Sequence, residues 1–241
     1  MAELTVLQEP LTRLFARGGV VKICGLREPE HAAAAAAAGA DLIGFIFAPA
    51  RRQVTAATAR ACIAAARKAA PNRIVLAVGV FVDALPAEMK RIAGESGIDI
   101  IQLHGDELPE SLPHLALPTV KALRPRPGTE AVEVVAEINR YRSSSSAPIG
   151  ILVDGYTEGS SGGTGARADW RLANEIGAAV PILLGGGLDS GNVGTAIRQV
   201  RPLGVDVSSG VEVEGLKDSN RIEEFIQAAR RAFHSPADRP H

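Results

Sequence analysis

Eight times between Val20 and Phe233 a short, continuous apolar run gives way to a longer stretch of helical composition. Val20 to Cys24 precedes Pro29 to Ala38, Asp41 to Phe47 precedes Thr55 to Ala70, and Arg73 to Val82 precedes Pro86 to Gly94. Asp99 to Leu103 is followed by Leu108 to Leu115, Thr119 to Leu123 by Glu130 to Tyr141, and Ile149 to Val153 by Asp169 to Ile176. Ile182 to Leu184 with Asn192 to Val200, and Val205 to Val207 with Arg221 to Phe233, complete the series. A strand covered on both faces has no polar side to show, so it reads as an unbroken apolar run. Strand then helix, repeated, predicts parallel strands joined by crossover helices. Eight such units in an open sheet would leave two unpaired edges, and closure removes both. The fold class is therefore read as α/β, a single (β/α)8 barrel with eight parallel strands.

The barrel is assigned to residues 20–233, preceded by a leader of residues 1–19 that is flexible or peripheral and followed by a tail of residues 234–241. The serine run Ser143 to Ser146 is a surface loop and not a tether, because the alternation continues across it. Twenty-six Lys and Arg against 27 Asp and Glu give a formal charge of -1, so the broad basic face that nucleic acid demands is not expected. Two cysteines, Cys24 and Cys62, support neither a disulfide framework nor a zinc site, and no metal is assigned. The first twenty residues carry charges throughout, and no run reaches the ~18 apolar residues of a membrane span. A cytoplasmic protein with a small-molecule partner is expected, with no nucleic acid and no membrane.

Catalysis in a barrel of this kind takes place where the strands end, and polar or glycine residues gather there. Cys24 closes the first strand, Arg51-Arg52 follow the second, Asp83 the third and Gln102-Leu103-His104-Gly105 the fourth. Asp154 ends the sixth, Gly185-Gly186-Gly187 the seventh and Ser208-Ser209-Gly210 the eighth. Glycines let backbone N–H groups approach an anion, and a phosphate site after strands seven and eight recurs in such barrels. Either turn alone could equally be a sharp bend that only glycine allows. Asp154, delivered from an apolar strand, suits a general acid, although Asp-Gly is also a common turn. Cys24 alone leaves four roles open: base, nucleophile, metal ligand or filling. Lys22 lies on the same side of its strand as Cys24, a possible source of charge for a thiolate.

Lys22-Ile23-Cys24-Gly25, Gln102-Leu103-His104-Gly105, Gly162-Gly163-Thr164-Gly165 with Asp169-Trp170, Gly185-Gly186-Gly187-Leu188 and Val205-Asp206-Val207-Ser208-Ser209-Gly210-Val211-Glu212 stand in one order. In that order and spacing the chain resembles phosphoribosylanthranilate isomerase, from about Val20 to Phe233. The resemblance implies a cofactor-independent Amadori rearrangement in tryptophan biosynthesis, from N-(5-phosphoribosyl)anthranilate to the carboxyphenylamino-deoxyribulose phosphate. It assigns Asp154 as general acid and Cys24 as general base. It also gives the backbone of Gly186, Gly187, Ser209 and Gly210 to the phosphate, Arg52 to the anthranilate carboxylate and His104 to a substrate contact. Because Phe47 to Arg52 is one residue shorter than in many relatives, Arg51 is the alternative for the carboxylate. Asp206 either orients polar groups of the site or is a buried partner in the barrel, Glu212 and Asp83 fix loops, and Cys62 is core. Residues 155–167 read as an active-site cover, and Ala168 replaces a frequent aromatic, which would anchor the next helix less firmly. Monomers and homodimers are both compatible. A different phosphosugar barrel, or one that binds without turnover, is the rival reading.

Overall fold

The computed structural model describes residue 11, residues 13–156 and residues 168–235. Its strands are β1 (Val20–Ile23), β2 (Leu42–Ile46), β3 (Leu76–Phe81), β4 (Ile100–Leu103), β5 (Thr119–Leu123), β6 (Gly150–Val153), β7 (Leu183–Leu184) and β8 (Gly204–Val207). They form one closed barrel in chain order, β8 pairing back to β1 in parallel with Lys22 opposite Asp206. Seven strands lead to α-helices: α1 (Pro29–Ala38), α2 (Ala56–Ala69), α3 (Pro86–Ser96), α4 (Ala131–Arg142), α5 (Trp170–Ala179), α6 (Val193–Val200) and α7 (Ser219–Phe233). Their starts follow local chemistry: proline opens α1 and α3, and the side chains of Thr55, Asp169 and Asp218 accept backbone N–H bonds at α2, α5 and α7.

The stretch after β4 departs from the expected helix. Pro109–His114 is a 3-10 turn with Pro113 inside it, and a proline has no N–H to continue an α-helical ladder. Beside this turn a cavity of about 590 Å³ opens, lined in part by Leu108, Lys121, Arg124, Arg126, Glu137 and Tyr141. After β8 a hairpin of Glu212–Val213 and Leu216–Lys217 intervenes before α7, turning through Glu214 and Gly215 at φ 50 and 83°.

A strand's period of two sorts the side chains into two cores. One set faces the helices, and the other fills the barrel with Val20, Leu42, Leu76, Val78, Ile100, Val120, Ala122, Leu152 and Leu183. Part of the segment read as a leader belongs to that inner core. Residues 13–17 are helical, Leu11 is buried, and Leu14 and Phe15 pack on the barrel interior. Phe15 comes so close that a Cβ on Gly150 would lie 2.8 Å from its ring. Arg17 is tied to Asp41, whose carboxylate also holds Arg230 at 2.6 Å and the Val21 amide at 2.9 Å. This plug closes the end of the barrel opposite the C-terminal ends of the strands. Leu11→Ala should therefore lower stability by about 2–4 kcal/mol in urea unfolding, the usual cost of such a core truncation, with catalytic constants unchanged.

Candidate active site

Along each inward row the residues turn polar toward the C-terminal end of the strand. On β1 Val20 is followed by Lys22 and then Cys24, on β4 Ile100 by Gln102 and His104, on β6 Leu152 by Asp154, and on β8 Gly204 by Asp206 and Ser208. The two-residue period brings these side chains to one mouth.

Lys22 is 1% exposed, and its ammonium lies 3.0 Å from Asp206 Oδ1. Burial alone would lower its pKa, but Asp206 and Cys24 outweigh that and hold the charge on the lysine. Cys24 sits above this pair, and Gly44 on β2 provides the space for both. A Cβ there would lie 2.8 Å from the sulfur and 3.1 Å from Lys22 Nζ. Burial pushes the Cys24 thiol up, Lys22 pulls it back, Asp206 opposes and Lys217 assists. Of the two readings of Asp206, the buried partner is the one realised, with Lys22 as its mate.

Glu212 ties the β2 and β8 loops together. It accepts from Arg52 Nε at 2.5 Å and Nη2 at 2.9 Å, from Arg51 Nη2 at 2.7 Å and from Lys217 Nζ at 3.0 Å. Arg52 is buried with its stem against Gly25, beside Cys24, whereas Arg51 is half exposed and reaches out to the Gly215 carbonyl. Of the two arginines, Arg52 is the one inside the mouth. Lys217 also donates to the Ser208 carbonyl, and burial brings its pKa down to about 8 despite Glu212. The sequence reading passed over Lys217. Its signal was a lysine five residues after Glu212 across a Glu-Gly turn, the spacing at which a hairpin pairs them, as the register Lys217 opposite Glu212 does.

The glycine turns meet as neighbours. Gly186 and Gly187 take left-handed φ of 86 and 61°. A side chain on Gly186 would overlap the Gly155 amide, and one on Gly210 would overlap the Leu188 carbonyl, so the β7 and β8 turns are in backbone contact. Asp154, on β6 next to them, accepts from the Gly155 amide at 2.8 Å. Across from it is His104, 7% exposed, its Nε2 3.3 Å from Asp154 Oδ2. Glu107 fixes the turn that carries His104, accepting from Lys121 at 2.8 Å and from the Gly105 and Asp83 amides at 3.1 Å. Asp83, at φ 51°, accepts in turn from the Asp106 amide. Cys62 lies far from the mouth in the core face of α2. Ala168 is buried, and α5 is held by the Asp169 cap. Of the expected cover, residues 157–167, which include Gly162 to Gly165, lie outside the described residues.

The profile of the family described as N-(5'phosphoribosyl)anthranilate (PRA) isomerase matches residues 21–228. The chain belongs to the N-(5'-phosphoribosyl)anthranilate isomerase family. Members are aldose–ketose isomerases of tryptophan biosynthesis. The family's protein from Roseiflexus sp. (strain RS-1) is 44% identical over 215 residues, covering 88% of this chain and 98% of the relative. The one from Desulforudis audaxviator is 42% identical over 215 residues, covering 89 and 99%. Among solved structures, phosphoribosyl anthranilate isomerase from Thermotoga maritima superposes with a TM-score of 0.73 at 32% identity, covering 88% of this chain and 98% of that one. A further structure of such an isomerase, 31% identical with a TM-score of 0.68, holds reduced 1-(o-carboxyphenylamino)-1-deoxyribulose 5-phosphate and has the same coverage. No helix among the described residues is long and apolar enough to cross a membrane.

The Glu212 cluster has a pH signature. Burial would raise its carboxyl, but the bonds from Arg52, Lys217 and Arg51 prevail and bring it from 4.5 to about 2. A depressed carboxyl stabilises the fold fully above its unfolded value and loses that contribution as pH falls through the folded one. Stability measured by denaturant unfolding should thus fall between about pH 4.5 and 2, and Glu212→Gln should flatten that part of the curve.

Proposed function

We propose that this chain converts N-(5'-phosphoribosyl)anthranilate to 1-(2-carboxyphenylamino)-1-deoxyribulose 5-phosphate by general acid/base catalysis, with Asp154 as acid and Cys24 as base. The observation that carries the reading is their placement: both end barrel strands at one mouth, flanked by the joined glycine turns of β7 and β8. Asp154 gives its proton to the furanose ring oxygen as the ring C1'–O bond breaks, and the anthranilate nitrogen supplies the electron pair that makes the Schiff base. The Cys24 thiolate then removes the proton at C2', leaving an enolamine. Protonation of that enolamine at C1' and loss of the C2' hydroxyl proton give the ketone. These are proton transfers only, and the side chains of the mouth supply the acid and the base.

A thiol is a useful base only when its thiolate is within reach of neutral pH. Here burial works against it, and the Lys22 ammonium at its side, with Lys217 beyond, favours the charged form. The turnover rate is accordingly expected to rise as the Cys24 thiol ionises for as long as Asp154 keeps its proton. Gly186, Gly187, Ser209 and Gly210 hold the phosphate by backbone N–H groups, and Arg52, oriented by Glu212, turns the far edge of its guanidinium to the anthranilate carboxylate. His104 lies on the acid's side of the sugar. The protein acts in the cytoplasm on a phosphosugar; as to assembly, the T. maritima enzyme is described as dimeric, and monomers of it have been solved.

Following the loss of fluorescence of N-(5'-phosphoribosyl)anthranilate made in situ tests the whole reading. The parent should turn it over, and Cys24→Ser and Asp154→Asn should each lower kcat by about 10²–10⁴-fold. Full activity in both variants would remove the acid and base, and an inactive parent would remove the function. For the carboxylate, Arg52→Lys should raise KM about tenfold and Arg51→Lys less than about twofold, since only a buried fork loses geometry; the reverse order would give the role to Arg51.

A further inference from the structure

A neutral imidazole next to a catalytic acid poses a difficulty. A histidine is a stronger base than a carboxylate by more than two pK units, so an open ring nitrogen facing Asp154 would take the acid's proton. The surroundings of His104 settle which nitrogen faces the acid. Its Nδ1 lies 2.9 Å from Gln102 Nε2, two residues earlier on the same inward row of β4. An amide nitrogen only donates, so Nδ1 is the acceptor and the ring proton is on Nε2. Gln102 is 1% exposed, buried inside the barrel beneath His104. Nε2 in turn is buried without a hydrogen bond of good geometry, and Asp154 Oδ2 stands 3.3 Å away.

We propose that His104 is a positioning residue for Asp154: Gln102 holds its proton on Nε2, Nε2–H donates to Asp154 Oδ2, and the transferable proton is thereby left on Oδ1. This rests on the assignment of Asp154 as the acid. With Nε2 already bearing hydrogen and Nδ1 closed off by the amide, the ring has no vacant lone pair to accept the acid's proton. The histidine supplies orientation without competing for charge. The other charged groups around the turn are committed elsewhere. Glu107 is paired with Lys121 at 2.8 Å, Asp83 Oδ1 accepts from the Asp106 amide at 2.7 Å, and the Gly155 amide holds Asp154 Oδ1 at 2.8 Å. Gly155 donates to an oxygen that still has a lone pair when protonated, so its bond is compatible with a proton on Oδ1.

Two measurements on the full chain test the proposal, and the first does not depend on activity. Long-range ¹H–¹⁵N spectra of the histidine rings at neutral pH should show His104 as the Nε2–H tautomer. An Nδ1–H tautomer or an imidazolium in the parent would overturn it. In Gln102→Glu the new carboxylate accepts from Nδ1, so the ring should appear as imidazolium. Asp154 is then held ionised, and kcat should fall at least about tenfold with KM within about twofold. Unchanged kcat with an imidazolium present would also overturn the proposal. His104→Gln, which keeps a donor, should retain more kcat than His104→Leu by about tenfold, and equal rates would count against it. If Asp154→Asn proves fully active, the acid assignment fails on its own terms, and the tautomer measurement still reports whether Gln102 fixes the ring.

Discussion

A lysine ammonium inside a barrel core is tenable only with a counter-charge, and the Lys22–Asp206 pair at 3.0 Å is the condition on which this site is built. The two residues face each other across the β1–β8 seam, the place where the barrel closes on itself. Closure and charge neutralisation are therefore the same event. Without β8 in register beside β1, Lys22 would be an unpaired buried cation, and the charge beside the Cys24 sulfur would lose the partner that makes it tenable. The small residue opposite, Gly44, is as necessary as either charge, because any Cβ there would compete with the sulfur for space.

Above that layer the loops are organised by two carboxylates. Glu212 gathers two arginines and a lysine from the β2 and β8 loops, and Glu107 gathers Lys121 and two backbone amides from the β3 and β4 loops. Each is nearly buried, so its partners are not screened by water as surface pairs are. The two halves of the mouth are thus braced separately, Arg52 beside Cys24 by one hub and His104 by the other.

The eight-fold alternation was legible because strands buried on both faces leave no polar residues to blur the runs. The relation of Lys22 to Cys24 followed from the two-residue period alone. What stayed hidden depended on contacts between distant parts of the chain. Leu11, Leu14 and Phe15 have helical spacing, but nothing local says that a barrel end waits for them. Between Pro109 and Pro113 the place in the series suggests a helix, whereas the missing N–H groups of the two prolines limit the stretch to a 3-10 turn. Lys217 and Glu212 become partners through a hairpin turning at Glu214-Gly215, between the eighth strand and its helix, where no periodic pattern marks an element. Whether Arg51 or Arg52 enters the mouth required the third dimension, because both reach the same carboxylate.

The absent helix after β4 changes what kind of material surrounds the barrel there. Elsewhere the outer layer is largely apolar contact between strands and helices, which adapts when one methyl is exchanged for another. Here Tyr141 bonds the Glu107 carbonyl through its hydroxyl at 2.7 Å, its ring lies 5.4 Å from the Lys121 ammonium, and a cavity opens alongside them. Directional bonds of fixed length have replaced a deformable filling. Such a joint is stiff while every member is present and has no slack once one is lost, so sequence drift that the other seven units absorb gradually is felt abruptly in this one.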